Sequence, residues 1–245
     1  MLIDFLKFDL ARRIYNEKLN DPNFNKNFWN GVLKYLNITY QCEGENYVPK
    51  QGPCLVVCNH PFGLLDGLII LSLVSKVRSD YKILINAEVR NELKTIEKYL
   101  LPISFDLTRD AILENINTKK KSIQHLTDQG ILIVFPSGEV ATSKMLVDEA
   151  TEKEWKPLIG AIYKKKPCKI LPVYFYGKNS FFFQFIGLLN NKAKKLLLLR
   201  ELFNKKNKII KLSINKTFEL KNLEKFTNKE LITLIKKKIN YLKNN

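Results

Sequence analysis

The residues best suited to chemistry lie in Asn59 to Gly67, NHPFGLLDG, where one of only two histidines precedes an aspartate with five residues between them. A neutral imidazole takes a proton from a hydroxyl or amine. A carboxylate on its other ring nitrogen orients the ring and stabilises the protonated form. His60 and Asp66 are therefore candidates for a base and its orienting partner. The same residues also have a plainer use, His60 in an ordinary turn and Asp66 as the cap of the helix expected from GLIILSLVSKV. A second polar turn, FPSGEVA, offers Ser137, Gly138 and Glu139, whose plain use is local bonding within a strand-to-helix turn. His125, in SIQHLTDQG, reads as a surface or packing residue of a helix rather than a second base.

Both turns follow apolar runs, CLVVC and ILIVF, which read as buried strands. ILINA, LPIS, KILPVYFYG and IIKLSI extend the strand series, and helical patterns separate several of them. One such helix runs from about Arg109 to Gln129 and stops at Gly130. Another is basic and amphipathic, KKLLLLRELFNKKNK, and a terminal helix opens with the capping-box spacing of Thr227 and Glu230. Alternating strands and helices predict an α/β fold, in which polar turns at strand ends are common sites. DPNFNK interrupts the first helical region, so residues 1–37 read as an N-terminal helical segment attached to a catalytic domain over 38–245. Leu2, Ile3, Leu6, Leu10 and Ile14 form an apolar stripe on that segment, fit either for packing on the domain or for docking to a membrane.

The chain has 245 residues, enough to bury a sizeable core, and 41 basic against 24 acidic residues give it a net charge of +17. That charge suits phosphate-rich partners or an anionic membrane surface. The basic residues are dispersed and no zinc-finger spacing or phosphate-binding loop accompanies them, so no specific nucleic acid is expected. Four cysteines, two of them in CLVVC, fit packed reduced thiols rather than a disulfide framework or a metal quartet. No stretch approaches the roughly 18 uninterrupted apolar residues of a membrane span. Phe181 to Phe183, near Lys192, Lys194 and Lys195, read either as core or as a lipid-facing shoulder with lysines at the headgroups.

Taken together and in order, NHPFGLLDG, FPSGEVA and ILPVYFYG resemble the lysophospholipid acyltransferase superfamily, in particular its small bacterial glycerolipid and aminolipid branches, over roughly residues 40 to 215. The resemblance implies a mixed central β-sheet flanked by helices. It also implies acyl transfer from acyl-CoA or acyl-ACP to a lysophospholipid, glycerol 3-phosphate or lyso-aminolipid, with His60 as general base, Asp66 as its partner, and no metal or tightly bound cofactor. A peripheral enzyme on the cytoplasmic face of the cell membrane follows, with acyl carrier protein as a potential partner. The sequence departs from the family pattern in three places. His60 and Asp66 enclose five residues where the familiar signature has four, Ser137 stands at the expected glutamate, and Val140 at the expected arginine. Ser137, Gly138 and Glu139 are then the acceptor-binding edge, with Lys144 or Arg109 as the compensating cation. Two other functions compete: a lipid-acting serine hydrolase built on Ser137, His60 and Asp66, and a noncatalytic lipid-binding protein of the same fold.

Overall fold

A computed structural model describes residues 7–18, 28–90, 94–143, 148–190 and 193–243. Its helices are α1 (Phe8–Lys18), α2 (Phe28–Tyr35), α3 (Leu64–Ser75), α4 (Ala87–Arg90), α5 (Arg109–Thr127), α6 (Pro157–Lys165), α7 (Phe181–Leu189), α8 (Ala193–Leu196), α9 (Leu198–Asn204) and α10 (Asn228–Asn240). Its strands are β1 (Thr39–Glu43), β2 (Cys54–Cys58), β3 (Tyr81–Asn86), β4 (Leu100–Ile103), β5 (Ile131–Val134), β6 (Thr142–Ser143), β7 (Ala150–Thr151), β8 (Lys169–Tyr176) and β9 (Ile209–Ile214).

Seven strands form one mixed sheet in the order β1-β9-β8-β2-β5-β3-β4. The run β8-β2-β5-β3-β4 is parallel throughout, whereas β9 runs antiparallel to β8. Strands β2 and β5 lie in the middle, and all their residues are buried, which is why they read as unbroken apolar runs rather than alternating ones. Their side chains still divide by the period of two. Cys54, Val56, Ile131 and Ile133 face one core, with Trp29, Leu33, Ile69 and Leu73. Leu55, Val57, Leu132 and Val134 face the other, with Ile159, Ile162, Ile232 and Ile235. Burial of each such Val, Leu or Ile contributes about 1.5–3 kcal/mol.

Helix α3 is apolar nearly all round, as a helix enclosed by sheet and neighbouring helices must be. One of its neighbours is α2, whose Trp29 reaches the sheet and donates its Nε1–H to the Tyr81 hydroxyl at 2.8 Å. The second half of residues 1–37 thus packs in the same core as the strands, while Leu2, Ile3 and Leu6 lie outside the described residues. Two sequence expectations need revision. The residue in the left-handed region just past α5 is Gln129 (φ 68°), not Gly130; Gly130 instead makes room for the His125 ring, whose Nε2 bonds the Ile131 carbonyl at 2.9 Å. The stretch KKLLLLRELFN is two short helices, α8 and α9, rather than one.

Candidate active site

The turn after β2 carries His60, and α3 begins only four residues later, at Leu64. Asp66 is then the third residue of the helix, and its carboxylate folds back over the first turn. Its Oδ2 accepts the backbone N–H groups of Phe62 at 2.8 Å and Gly63 at 2.9 Å, and lies 2.9 Å from His60 Nδ1. Capping the helix and orienting the histidine, two alternatives in the sequence, are one arrangement. The turn between His60 and Asp66 depends on Gly63, whose φ of 87° favours glycine and where an added Cβ would sit 2.7 Å from Leu198 and 3.1 Å from Val140.

Because Oδ2 already receives two amide hydrogens, it acts as an acceptor toward the ring, so Nδ1 carries the hydrogen and Nε2 presents a lone pair. Asp66 is fully buried, and its Oδ1 has no hydrogen-bond partner among the described residues. Burial raises the Asp66 carboxyl, against the opposing pull of His60 and the two amides. The buried carboxylate beside Nδ1 is placed to stabilise positive charge on the ring when a proton is transferred to Nε2.

The two polar turns meet. The His60 ring stacks on Phe135, centroid to centroid 4.1 Å at 24°, and Ala141 N–H donates to the His60 carbonyl at 2.9 Å. Ser137 is buried and its hydroxyl donates to the Glu139 carbonyl at 2.8 Å. Gly138 has φ 66° and leaves space for the Phe105 ring. The Glu139 carboxylate pairs with Lys153 at 2.8 Å, partly exposed beside the turn. Arg109 is exposed in the first turn of α5, and Lys144 lies outside the described residues. His60, Asp66, Ser137, Gly138 and Glu139 are thus gathered at the ends of β2 and β5, with Arg109 at the head of the helix after β4. Among the described residues no cluster of three or more His, Cys, Asp or Glu suits a metal ion.

Residues 10–245 match the family model described as acyltransferase. The chain belongs to this family and is an acyltransferase. Two relatives named lyso-glycine lipid O-acyltransferase are each 23% identical. The one from Phocaeicola vulgatus aligns over 91% of this chain and 81% of its own length, the one from Bacteroides thetaiotaomicron over 91% and 83%. Among solved structures, the 1-acyl-sn-glycerophosphate acyltransferase PlsC from Thermotoga maritima superposes with a TM-score of 0.54 at 18% identity, covering 100% of this chain and 93% of that one, which shows a shared fold.

The candidate site of this acyltransferase contains three residues that sequence reasoning did not assign to it. Asn59 extends the β2–β8 pairing by one rung made of side chain, Nδ2 to the Phe175 carbonyl at 2.9 Å and Phe175 N–H to Oδ1 at 2.7 Å. Glu152, mostly buried, accepts the backbone N–H of His60 on Oε1 and the Trp155 Nε1–H on Oε2, each at 3.0 Å. Burial raises its carboxyl, opposed chiefly by the Trp155 hydrogen bond, then by the His60 charge and Ser137. A carboxylate thus stands beside Ser137, where the family pattern leads one to expect a glutamate, delivered from 15 residues further along the chain. Lys194 does not stay at the surface: it is 4% exposed, and its ammonium donates to the Val140 carbonyl at 3.0 Å and Thr142 Oγ1 at 2.7 Å. Desolvation brings its pKa down to about 8. The only advance signals were the loop's missing glutamate and arginine.

Proposed function

We propose that this acyltransferase moves a fatty acyl group from a thioester, acyl-CoA or acyl-ACP, to the hydroxyl of a lyso-aminolipid at the surface of a membrane. His60 Nε2 takes the acceptor proton as its oxygen attacks the thioester carbonyl. The tetrahedral intermediate collapses with expulsion of the thiolate, which takes up the proton held by the imidazolium. Asp66 stabilises the imidazolium between these steps. A positioned base of this kind contributes typically 10²–10⁴-fold in rate. The observation that carries the reading is the 2.9 Å contact of His60 Nδ1 with a buried, amide-anchored Asp66. It turns Nε2 into the one ring nitrogen able to accept.

The acceptor class rests on the two relatives named for a lyso-glycine lipid and on the loop itself. Val140, buried, stands where an arginine would bind a phosphate, and Lys194 is engaged with loop oxygens. Lysophospholipid and glycerol 3-phosphate are the alternative acceptors. No helix among the described residues is long and apolar enough to cross a membrane. The acyl-CoA or acyl-ACP donor leads us to propose a peripheral enzyme at the cytoplasmic face. Against hydrolysis by Ser137 stands its hydroxyl, buried and donating to Glu139. Mass spectrometry after incubation with acyl-CoA or acyl-ACP and pooled lysolipids tests the proposal. One acyl chain gained by a lyso-aminolipid is expected; free fatty acid alone would mean a hydrolase, and no product at all a lipid-binding protein.

A further inference from the structure

Strands β2, β3, β4, β5 and β8 are mutually parallel, so the turns that follow them emerge along a single edge of the sheet. His60 and the FPSGEVA turn sit on that edge. Two further segments leave from it, and both present apolar side chains outward. After β4, Leu107 is 94% exposed, Phe105 rests on Gly138 with nearly half its surface free, and Ile112 faces outward from the first turn of α5. After β8, α7 turns its Phe183 face inward onto Val140 and Leu197, and Gly187 approaches Thr142. Its opposite face carries Phe181 (64% exposed), Phe185 and Leu189 (68% exposed), spaced 181, 185, 189 along one helical stripe. The two apolar patches therefore flank the FPSGEVA turn, one anchored at Gly138 and the other at Val140 to Thr142.

Exposed apolar clusters beside a catalytic turn need an occupant. Charge identifies it: besides the buried Lys194, residues 178–208 hold seven Lys or Arg against the single acid Glu201, which is buried too, within a chain of net charge +17. Arg200 lies over the Phe182 ring at 5.0 Å, and Lys195 of α8, 40% exposed, pairs with the exposed Glu88 at 3.3 Å. Aromatic and leucine side chains interleaved with cations are the composition of a surface that enters the boundary of an anionic bilayer, cations at the phosphates and rings below them. Acids are present too, Asp106 and Asp110 beside Arg109, so the α7–α9 side carries the greater positive charge.

We infer that this sheet edge is the membrane-docking surface, with α7 on one side and the 105–113 segment on the other, so that His60 faces the bilayer. The inference rests on the functional reading above and adds to it the orientation of the enzyme. A lysolipid then reaches Nε2 by rising along the headgroup region, without leaving the membrane.

The test uses the full chain with vesicles of phosphatidylglycerol and phosphatidylcholine, compared with phosphatidylcholine alone. Phe181→Asp/Leu189→Asp and Leu107→Asp/Ile112→Asp, all at exposed positions, are expected to lower co-sedimentation with the anionic vesicles at least tenfold each. Their thermal midpoints and their turnover of a short-chain, water-soluble acceptor should stay near those of the parent. In parallel, Leu107→Trp and Phe181→Trp are expected to shift to the blue and to be quenched by brominated lipids. Absence of vesicle binding by the parent, normal binding by both double variants, or unquenched tryptophans on bound protein would overturn the inference. So would a concentration-dependent dimer abolished by the same substitutions, which would make the surface a contact between copies. Vesicle binding is read without turnover, so an enzyme that docks but transfers no acyl group would refute the functional reading and leave the docking surface standing.

Discussion

His60 and Asp66 meet at 2.9 Å because the helix that follows the histidine starts inside the motif and carries the aspartate back to the turn. The carboxylate is held by two backbone amides before it touches the ring, so its direction is set independently of the histidine.

This independence separates the two substitutions. His60→Ala removes the proposed base and leaves the cap, so turnover should fall by about 10²–10⁴-fold with a thermal midpoint close to the parent's. Asp66→Asn should lower turnover comparably and also destabilise the fold by about 1–3 kcal/mol, because a buried network of three hydrogen bonds is disturbed. Steady-state kinetics and urea titrations on both proteins check the pattern. Near-normal turnover in both would remove the pair from its proposed role, and near-normal turnover in Asp66→Asn alone would remove Asp66 from it.

Glu152 gives a different signature, because it holds the backbone of His60 and not its ring. Glu152→Leu leaves the His60 N–H and the Trp155 Nε1–H without their acceptor, at a cost of about 1–3 kcal/mol, and should lower kcat more than it changes KM. Glu152→Gln keeps one acceptor oxygen and should recover part of the loss. A rise in KM with kcat intact would instead mean that Glu152 meets the acceptor.

How far this site was legible in the sequence depends on distance along the chain. Strands β2, β5 and β8 announced themselves as apolar runs, and the turns after them as polar interruptions, since both follow from local burial. The capping of α3 by Asp66 was also visible, being a contact across three residues. Glu152 and Lys194 were not, because their partners His60 and Val140 lie 92 and 54 residues away, beyond the reach of any local pattern. The triple phenylalanine likewise has no internal period to say that Phe183 turns inward while Phe181 turns out; the helical setting that Ser180 starts, by capping Phe183 N–H, decides it.

Lys194 makes the stability depend on pH in a window that can be named. Its pKa is about 8 in the folded chain and about 10.4 in an unfolded one. Between those values the unfolded state binds more protons, so the contribution of Lys194 to stability rises with pH through the window and is flat below it. Thermal melts of the parent and of Lys194→Met from pH 7 to 10.5 should differ in slope in that direction. Parallel curves would show that the ammonium is not desolvated as placed.

The thiols should be inert. Burial pushes Cys42, Cys54 and Cys168 up to about 12, and Cys58 upward as well. At pH 8 the thiolate fraction is then well under about 1%, so iodoacetamide should leave the native protein unlabelled by intact mass and fully active. Rapid modification of Cys58 with loss of turnover would point to a covalent acyl-enzyme on sulfur.

The side-chain rung between Asn59 and the backbone of Phe175 has a mechanical consequence. It is the last fastening before the chain leaves the sheet, so the residue after it hangs from a fixed peg rather than from a free loop. Slack introduced beyond the peg is paid out downstream, toward Gly63, and does not shift the histidine. A turn one residue longer than usual can therefore follow a histidine whose backbone is already fixed.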